Sequence, residues 1–309
     1  MRIEIENLDL EQIARSGQCF NFISCKSDQT NDTIWCIPYK DSLLTAMQRG
    51  NVLWLSCSER EWKEKFAILF DNDRDYKALG RQILDSSDLH LREAYMKGSG
   101  IRILRQDLWE VIISFMISQN NNISRITKSV AAIRSRCGHS ILNNYRDASD
   151  LGRSVTNDAR DASESGEGLS AEERELLAKA AEFGQSVKAF PSAFEISDEL
   201  LDDTTLGLGY RAPYIKAMCR YTRENPEWLD ELAAKDYRSA RSELMSHLGI
   251  GAKVADCICL FGLGHTEAFP IDTHVKQLMD KYYNGKFEYE VYKENAGIVQ
   301  QYLFFRELT

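Results

Sequence analysis

The sequence is short of three things, and each shortage excludes a class of protein. Basic residues are the minority: 38 Lys and Arg against 47 Asp and Glu leave a formal net charge of −9 over 309 residues. A nucleic-acid binder with an evenly basic surface is thereby excluded, and any polyanion-binding face has to be local. Paired cysteines are missing. The eight cysteines (Cys19, Cys25, Cys36, Cys57, Cys137, Cys219, Cys257 and Cys259) never fall in a Cys-x-x-Cys spacing, so they read as reduced thiols of a cytosolic protein rather than a zinc or disulfide framework. No cysteine follows Cys259, which leaves no C-terminal set of four thiolates for an iron–sulfur cluster. No apolar run reaches membrane-spanning length. The start, Met1-Arg2-Ile3-Glu4-Ile5-Glu6, alternates apolar and charged residues like a strand and does not read as a signal peptide.

What is present is the composition of a globular protein, 43% hydrophobic and 28% charged, long enough for one domain or two. The charge is unevenly placed. From Asn143 to Glu175 four Arg face nine Asp or Glu, whereas Ile101 to Arg136 holds six basic residues against two acidic ones. The first hundred residues mix strand and helix signals. Thr33 to Pro38 and Asn51 to Cys57 are β-branched and aromatic, as antiparallel strands are. Glu59 to Leu69 and Ser86 to Gly100 read as helices, and Gly98-Ser99-Gly100 as a joint between domains.

From Ile101 the pattern is helical. Leu108 to Ser118 is apolar nearly all round, which predicts a helix at the centre of a helical body. Further helices are expected at Ala171 to Lys188, Pro213 to Glu224, Trp228 to Ala234, Tyr237 to His247, Ala252 to Phe261, Thr273 to Tyr282 and Glu288 to Leu308. The stretch 143–168 is polar, with few large apolar residues, and reads as an exposed insertion.

Two motifs carry chemistry. Leu248-Gly249-Ile250-Gly251-Ala252-Lys253-Val254-Ala255-Asp256-Cys257 reads as a helix, a glycine hairpin and a second helix, with Gly249 and Gly251 both able to take positive φ. Backbone amides exposed at such a turn can cradle a phosphate. Lys253 falls in the first turn of the second helix, where the positive end of the helix dipole favours the uncharged amine that can attack carbon. As a plain helix connector the hairpin would need none of this. Pro270-Ile271-Asp272-Thr273-His274 follows. Asp272 is placed as a helix N-cap, and a carboxylate held by helix-terminal amides also suits the stabilisation of positive charge on a sugar.

Hairpin, lysine and following aspartate resemble the helix-hairpin-helix DNA glycosylases, and most closely the 8-oxoguanine DNA glycosylase family. Gln119-Asn120-Asn121-Asn122-Ile123-Ser124-Arg125 resembles that family's asparagine turn, which implies that Asn120 and Arg125 face the cytosine opposite the lesion. Leu206-Gly207-Leu208-Gly209-Tyr210-Arg211 is similar to its wedge loop: Tyr210 would fill the gap left by the everted base and Arg211 would contact the estranged cytosine. Gly17-Gln18-Cys19-Phe20 resembles the family's Gly-Gln-x-Phe, whose glycine carbonyl accepts the N7 hydrogen that oxidised guanine has and guanine lacks. Gln300 and Phe304, at i and i+4, match the family's base-edge glutamine and stacking aromatic, with Gln301 or Phe305 as alternatives. The resemblance places Cys257 on the other face of the base, beside Lys253 and able to form a charge pair with it, and His274 on a phosphate.

The resemblance implies an α+β fold: a small antiparallel, TATA-box-binding-like N-terminal domain over residues 1–100, then a larger all-helical domain over 101–309 with the polar insertion at 143–168. It implies excision of 8-oxoguanine, preferably opposite cytosine, by Lys253 attack and a Schiff base, then β-elimination, with Asp272 stabilising the sugar cation. The expected partner is double-stranded DNA containing oxidised guanine, bound by a monomer with no membrane association. No cofactor and no catalytic metal are expected, apart from a structural monovalent cation at the hairpin. The expected location is cytoplasmic, on the nucleoid of a bacterium or archaeon, or nuclear in a eukaryote. An alkylpurine glycosylase of the same fold, or a non-catalytic hairpin module, would have no use for Lys253.

Overall fold

The computed structural model describes residues 1–141 and 169–308, so the polar stretch expected at 143–168 lies outside the described residues. Near the N-terminus, β1 (Arg2–Glu4), β2 (Ile23–Lys26), β3 (Thr33–Tyr39), β4 (Ser42–Arg49) and β5 (Val52–Leu55) form one antiparallel sheet in the order β1-β5-β4-β3-β2. Two-residue loops join β3 to β4 and β4 to β5, because Tyr39 pairs with Ser42 and Arg49 with Val52. Gly50 supplies the positive φ (56°) that the second of these tight loops requires.

Both faces of the sheet are covered. Alternate residues Leu44 and Ala46 of β4, with Ile37, Leu53 and Leu55, pack on Leu10 and Ile13 of α1 (Leu10–Arg15) and on Trp62, Phe66 and Phe70. Trp62 and Phe66 come from a helical run made of α2 (Glu59–Glu61), a π-helical segment Trp62–Phe66 and α3 (Ala67–Leu69), and Phe70 is its C-cap. Next in the chain come α4 (Tyr76–Leu84), α5 (Leu89–Gly98), α6 (Leu108–Ser118), α7 (Ile123–Cys137) and α8 (Ala171–Ser186). The second face of the sheet, with Ile34 and Met47, is closed by Leu176 of α8. The Thr45 hydroxyl donates to the Leu176 carbonyl at 2.7 Å, Arg49 pairs with Glu172 at 3.1 Å, and Ser27 donates to the buried Glu175 at 2.8 Å. Thus α8, expected among the helices of the second half, lies on the N-terminal sheet, and three of the acidic stretch's carboxylates, counting Glu173 on the Met1 amine, face partners there.

The helical body surrounds α6, whose residues Trp109 to Ile117 are all buried. The chain continues with α9 (Asp198–Asp202), two 3-10 turns at Thr204–Leu206 and Gly209–Arg211, then α10 (Ala212–Glu224), α11 (Trp228–Ala233), α12 (Tyr237–Ser246), α13 (Ala252–Phe261), α14 (Thr273–Tyr282) and α15 (Ala296–Leu308). A buried ion pair between Glu110 of α6 and Arg134 of α7 also takes a 3.2 Å hydrogen bond from Asn21, tying the N-terminal segment to the body. Burial pushes the Glu110 carboxyl up and the Arg134 guanidinium opposes it; removing either partner would strand a charge in the core. The helix expected over Glu288 to Leu308 is divided: a 3-10 segment, Tyr289–Asn295, with Lys293 at φ 44°, precedes α15. The break lets Gly297 close on α13, its N–H donating to the Thr266 carbonyl at 2.7 Å where any Cβ would meet Leu260 at 2.5 Å. Among the described residues no helix is long and apolar enough to cross a membrane.

Candidate active site

The hairpin lies between α12 and α13. Gly249 has φ 84°, and a Cβ there would stand 2.5 Å from the Tyr214 ring, so both conformation and space demand glycine. Gly251 differs from the expectation: it is the extended N-cap of α13 (φ −90°, ψ 176°), in a conformation open to any residue, with nothing within 4 Å of a Cβ. The turn already closes upstream, Ile250 N–H to His247 carbonyl at 3.1 Å, so a second positive φ is not needed. What glycine leaves at 251 is open space in front of the first amides of α13, where an anion can approach. Asp256, one turn beyond Lys253 and buried, accepts from the Tyr237 hydroxyl at 2.8 Å and from Arg241 Nε at 2.6 Å, locking α13 to α12.

Lys253 and Asp272 open onto one cavity of about 940 Å³ between the N-terminal segment and the helical body. Lys253 Nζ lies 5.3 Å from the centroid of the Phe115 ring, which is itself stacked on Phe261 at 5.4 Å and met edge-on by Phe20 at 5.7 Å. The ammonium side chain is thus aimed along an aromatic wall rather than into solvent. Asp272 caps α14, one carboxylate oxygen accepting from Val275 N–H at 2.8 Å. The cap fixes the carboxyl group at the cavity wall and uses a single oxygen.

Gly17 lines the same cavity. Its φ is 76°, and a Cβ would come within 3.1 Å of Phe304 and 3.5 Å of Ile123. Phe304 lines the cavity and meets His274 edge-on at 6.1 Å, whereas Phe305 is buried on the side facing Gly98; of the two aromatics, Phe304 faces the cavity. Gln300 and Gln301 are both buried and bonded to each other, Gln301 Nε2 donating to Gln300 Oε1 at 3.1 Å. Gln300 therefore stops short of the cavity wall. Cys257 is also buried, beside Lys253: burial, the larger effect, pushes its thiol up to about 11, while the charge of the lysine and a hydrogen bond with it pull the other way.

The asparagine turn and the wedge loop meet. Asn120 sits at φ 46°, Asn121 donates to the Ile117 carbonyl at 3.2 Å, and Asn122 caps α7 by accepting from Arg125 N–H at 3.0 Å. Arg211 is buried, its guanidinium on the carbonyls of Leu208 (3.2 Å), Asn120 (2.9 Å) and, through Nε, Gln119 (2.8 Å). Tyr210 is 53% exposed, with its hydroxyl 3.2 Å from the Gln119 carbonyl. Arg125 points outward, apart from the cavity. Phe115, Ile123 and Lys276 line the cavity without having been singled out by sequence. Lys276 could have been found, one helical turn after Asp272; Phe115 was hidden in a helix apolar on every side. Among the described residues no group of three or more His, Cys, Asp or Glu could hold a metal ion.

Residues 1–112 match the family described as 8-oxoguanine DNA glycosylase, N-terminal domain. Over 98% of its length the chain is 27% identical to a probable N-glycosylase/DNA lyase of Methanothermobacter thermautotrophicus, covering 95% of that protein. It is 30% identical over 202 residues to the N-glycosylase/DNA lyase of Saccharomyces cerevisiae, a match with 62% of this chain that spans only 44% of the yeast protein. Its fold is that of the Clostridium acetobutylicum 8-oxoguanine glycosylase/lyase, solved with double-stranded DNA containing cytosine opposite 8-oxoguanine: TM-score 0.73 at 24% identity, covering 99% of this chain and 97% of that one. The chain thus matches the N-terminal domain of the 8-oxoguanine DNA glycosylases over residues 1–112, is similar along nearly its full length to a probable N-glycosylase/DNA lyase, and shares its fold end to end with a solved 8-oxoguanine glycosylase/lyase.

Proposed function

We propose that this protein removes 8-oxoguanine from duplex DNA and then cleaves the strand at the abasic site. The observation that carries this reading is that Gly17 and Lys253 line one cavity, so a base everted into it is read on one side and its sugar attacked on the other. Lys253, its ammonium first giving up a proton to solvent, bonds through Nζ to C1′ as the bond to the base breaks, the base leaving with that electron pair. Loss of a proton from nitrogen and ring opening give the Schiff base, whose acidified C2′ hydrogen is lost as the 3′ phosphate departs. Asp272 stabilises the positive charge that develops on the sugar. Phe304 stacks on the base; Gln300 would reach its edge after leaving Gln301, and Cys257 would back the pocket.

The hairpin amides around Gly249 and Gly251 and the His274 ring take phosphates, and the hairpin carbonyls would hold a structural monovalent cation beside them. Residues 1–100 and 101–309 form its two domains, with α8 of the second docked on the sheet of the first. The protein acts as a monomer on chromosomal DNA, nucleoid or nuclear. The test is release of free base from duplexes carrying 8-oxoguanine, guanine or an alkyladenine: release of 8-oxoguanine is expected, and release of alkyladenine alone would overturn the reading.

Tyr210 fills the gap in the stack, and Arg211, Arg125 and Asn120 take the orphaned cytosine. Because Arg211 also holds the Gln119 and Asn120 carbonyls, it both presents Asn120 and can itself turn to the base. Arg211→Ala is expected to lower excision opposite cytosine by about 1–3 kcal/mol of discrimination, far more than opposite adenine. Single-turnover rates on four duplexes differing only opposite the lesion check this. An equal loss on all four would assign Arg211 to the fold or the backbone.

A further inference from the structure

The Gly17 carbonyl can distinguish two bases that differ by one hydrogen only if its position relative to Lys253 is fixed. Gln18, the next residue, is completely buried, with both ends of its side-chain amide and its carbonyl partnered. Its Nε2 donates to Ser16 Oγ and to the Arg102 carbonyl, both at 2.9 Å, and its Oε1 accepts from Leu104 N–H at 2.8 Å. The backbone partners fix which end of the amide is which, since a carbonyl can only accept and an N–H can only donate. The Gln18 carbonyl in turn accepts from Gln106 Nε2 at 2.7 Å. Gln106 N–H donates to the carbonyl of Phe261 at 3.0 Å, and Phe261 is the last residue of α13, the helix that carries Lys253. An unbroken run of hydrogen bonds therefore leads from the residue beside Gly17 to the helix of the nucleophile.

We propose that Gln18, through Gln106, is a positioning residue that sets base specificity by holding the Gly17 carbonyl in register with Lys253. It touches neither base nor sugar. The inference rests on the glycosylase reading above and adds to it the element that sets the spacing of its two walls. No other side chain substitutes well: Glu keeps the acceptor for Leu104 but loses both donors, and Met keeps the length but loses all three bonds. Errors of an ångström in such a register are costly to rate.

The test compares two reactions of the same full-length variants. Gln18→Met is expected to slow single-turnover release of 8-oxoguanine by about tenfold or more, while borohydride trapping at a ready-made abasic site, which has no base to read, stays within about twofold of wild type. Gln106→Leu removes only the hydrogen bond to the Gln18 carbonyl at a half-buried site, and is expected to shift the same ratio in the same direction by less. It keeps the test decisive if Gln18→Met does not fold. Equal losses in both reactions in Gln106→Leu would make the clamp merely structural, and an unchanged ratio in both variants would remove its role. The wild-type arm reads the glycosylase function separately. Should wild type release a different base, the ratio taken on that base still decides the role of Gln18.

Discussion

Lys253→Gln is expected to abolish both base release and borohydride trapping while leaving affinity for lesion-bearing duplex nearly intact. Glutamine keeps most of the length of the side chain and its place along the Phe115 ring, but an amide nitrogen has no free electron pair with which to attack C1′. What the fold loses is the cation over that ring, 5.3 Å from its centroid, a contact worth about 0.5–1 kcal/mol at a partly exposed site. Unfolding therefore cannot stand in for lost chemistry. The hairpin amides, Tyr210 and the opposite-base residues are untouched by the change, which is why binding survives. Gel-shift affinity and trapping measured on one preparation separate the two.

Asp272→Asn is expected to slow excision by orders of magnitude at nearly unchanged stability. The residue has two roles that this substitution divides. As N-cap of α14 it accepts from Val275 N–H at 2.8 Å, and Asn caps about as well, so the fold should lose about a kcal/mol or less. As the carboxylate beside the reacting sugar it offsets charge that an amide cannot. A single-turnover rate near wild type would reduce Asp272 to a cap; a large loss of rate with an unchanged melting temperature is the expected outcome.

The parts of the fold most legible in sequence are those with both a period and a stop signal. Leu108–Ser118, Ala252–Phe261 and Thr273–Tyr282 begin and end where their sequence predicts, because Asp107, Gly251 and Asp272 punctuate them. Strand β4 was illegible: Ser-Leu-Leu-Thr-Ala-Met is buried on both faces, so it lacks the alternation that marks a strand with one wet side. That second buried face exists because α8 returns to it, a tertiary fact with no local signal. Lys293 at φ 44° inside an apparently continuous C-terminal helix is of the same kind.

In the site, residues whose chemistry stands in their type and spacing, such as Lys253, Asp272 and Gly17, lie on the cavity that the sequence implies. Residues whose behaviour depends on burial do not read out. Cys257 beside a lysine looks in sequence like a thiol pulled down by that charge, but the burial that pushes it the other way comes from three-dimensional packing. Gln18 looks like part of a short motif, and only its partners at positions 16, 102, 104 and 106 reveal a clamp.

The central claim is that one lysine at the head of α13 attacks the sugar of an oxidised guanine held in this cavity. Borohydride trapping tests it most directly, on duplexes carrying 8-oxoguanine opposite cytosine, guanine, an alkyladenine or an abasic site. The account predicts a covalent protein–DNA complex with 8-oxoguanine and with the abasic site, none with the other two, and none with any duplex for Lys253→Gln. A complex trapped by Lys253→Gln, or one formed by the wild type on alkyladenine but not on 8-oxoguanine, would contradict it.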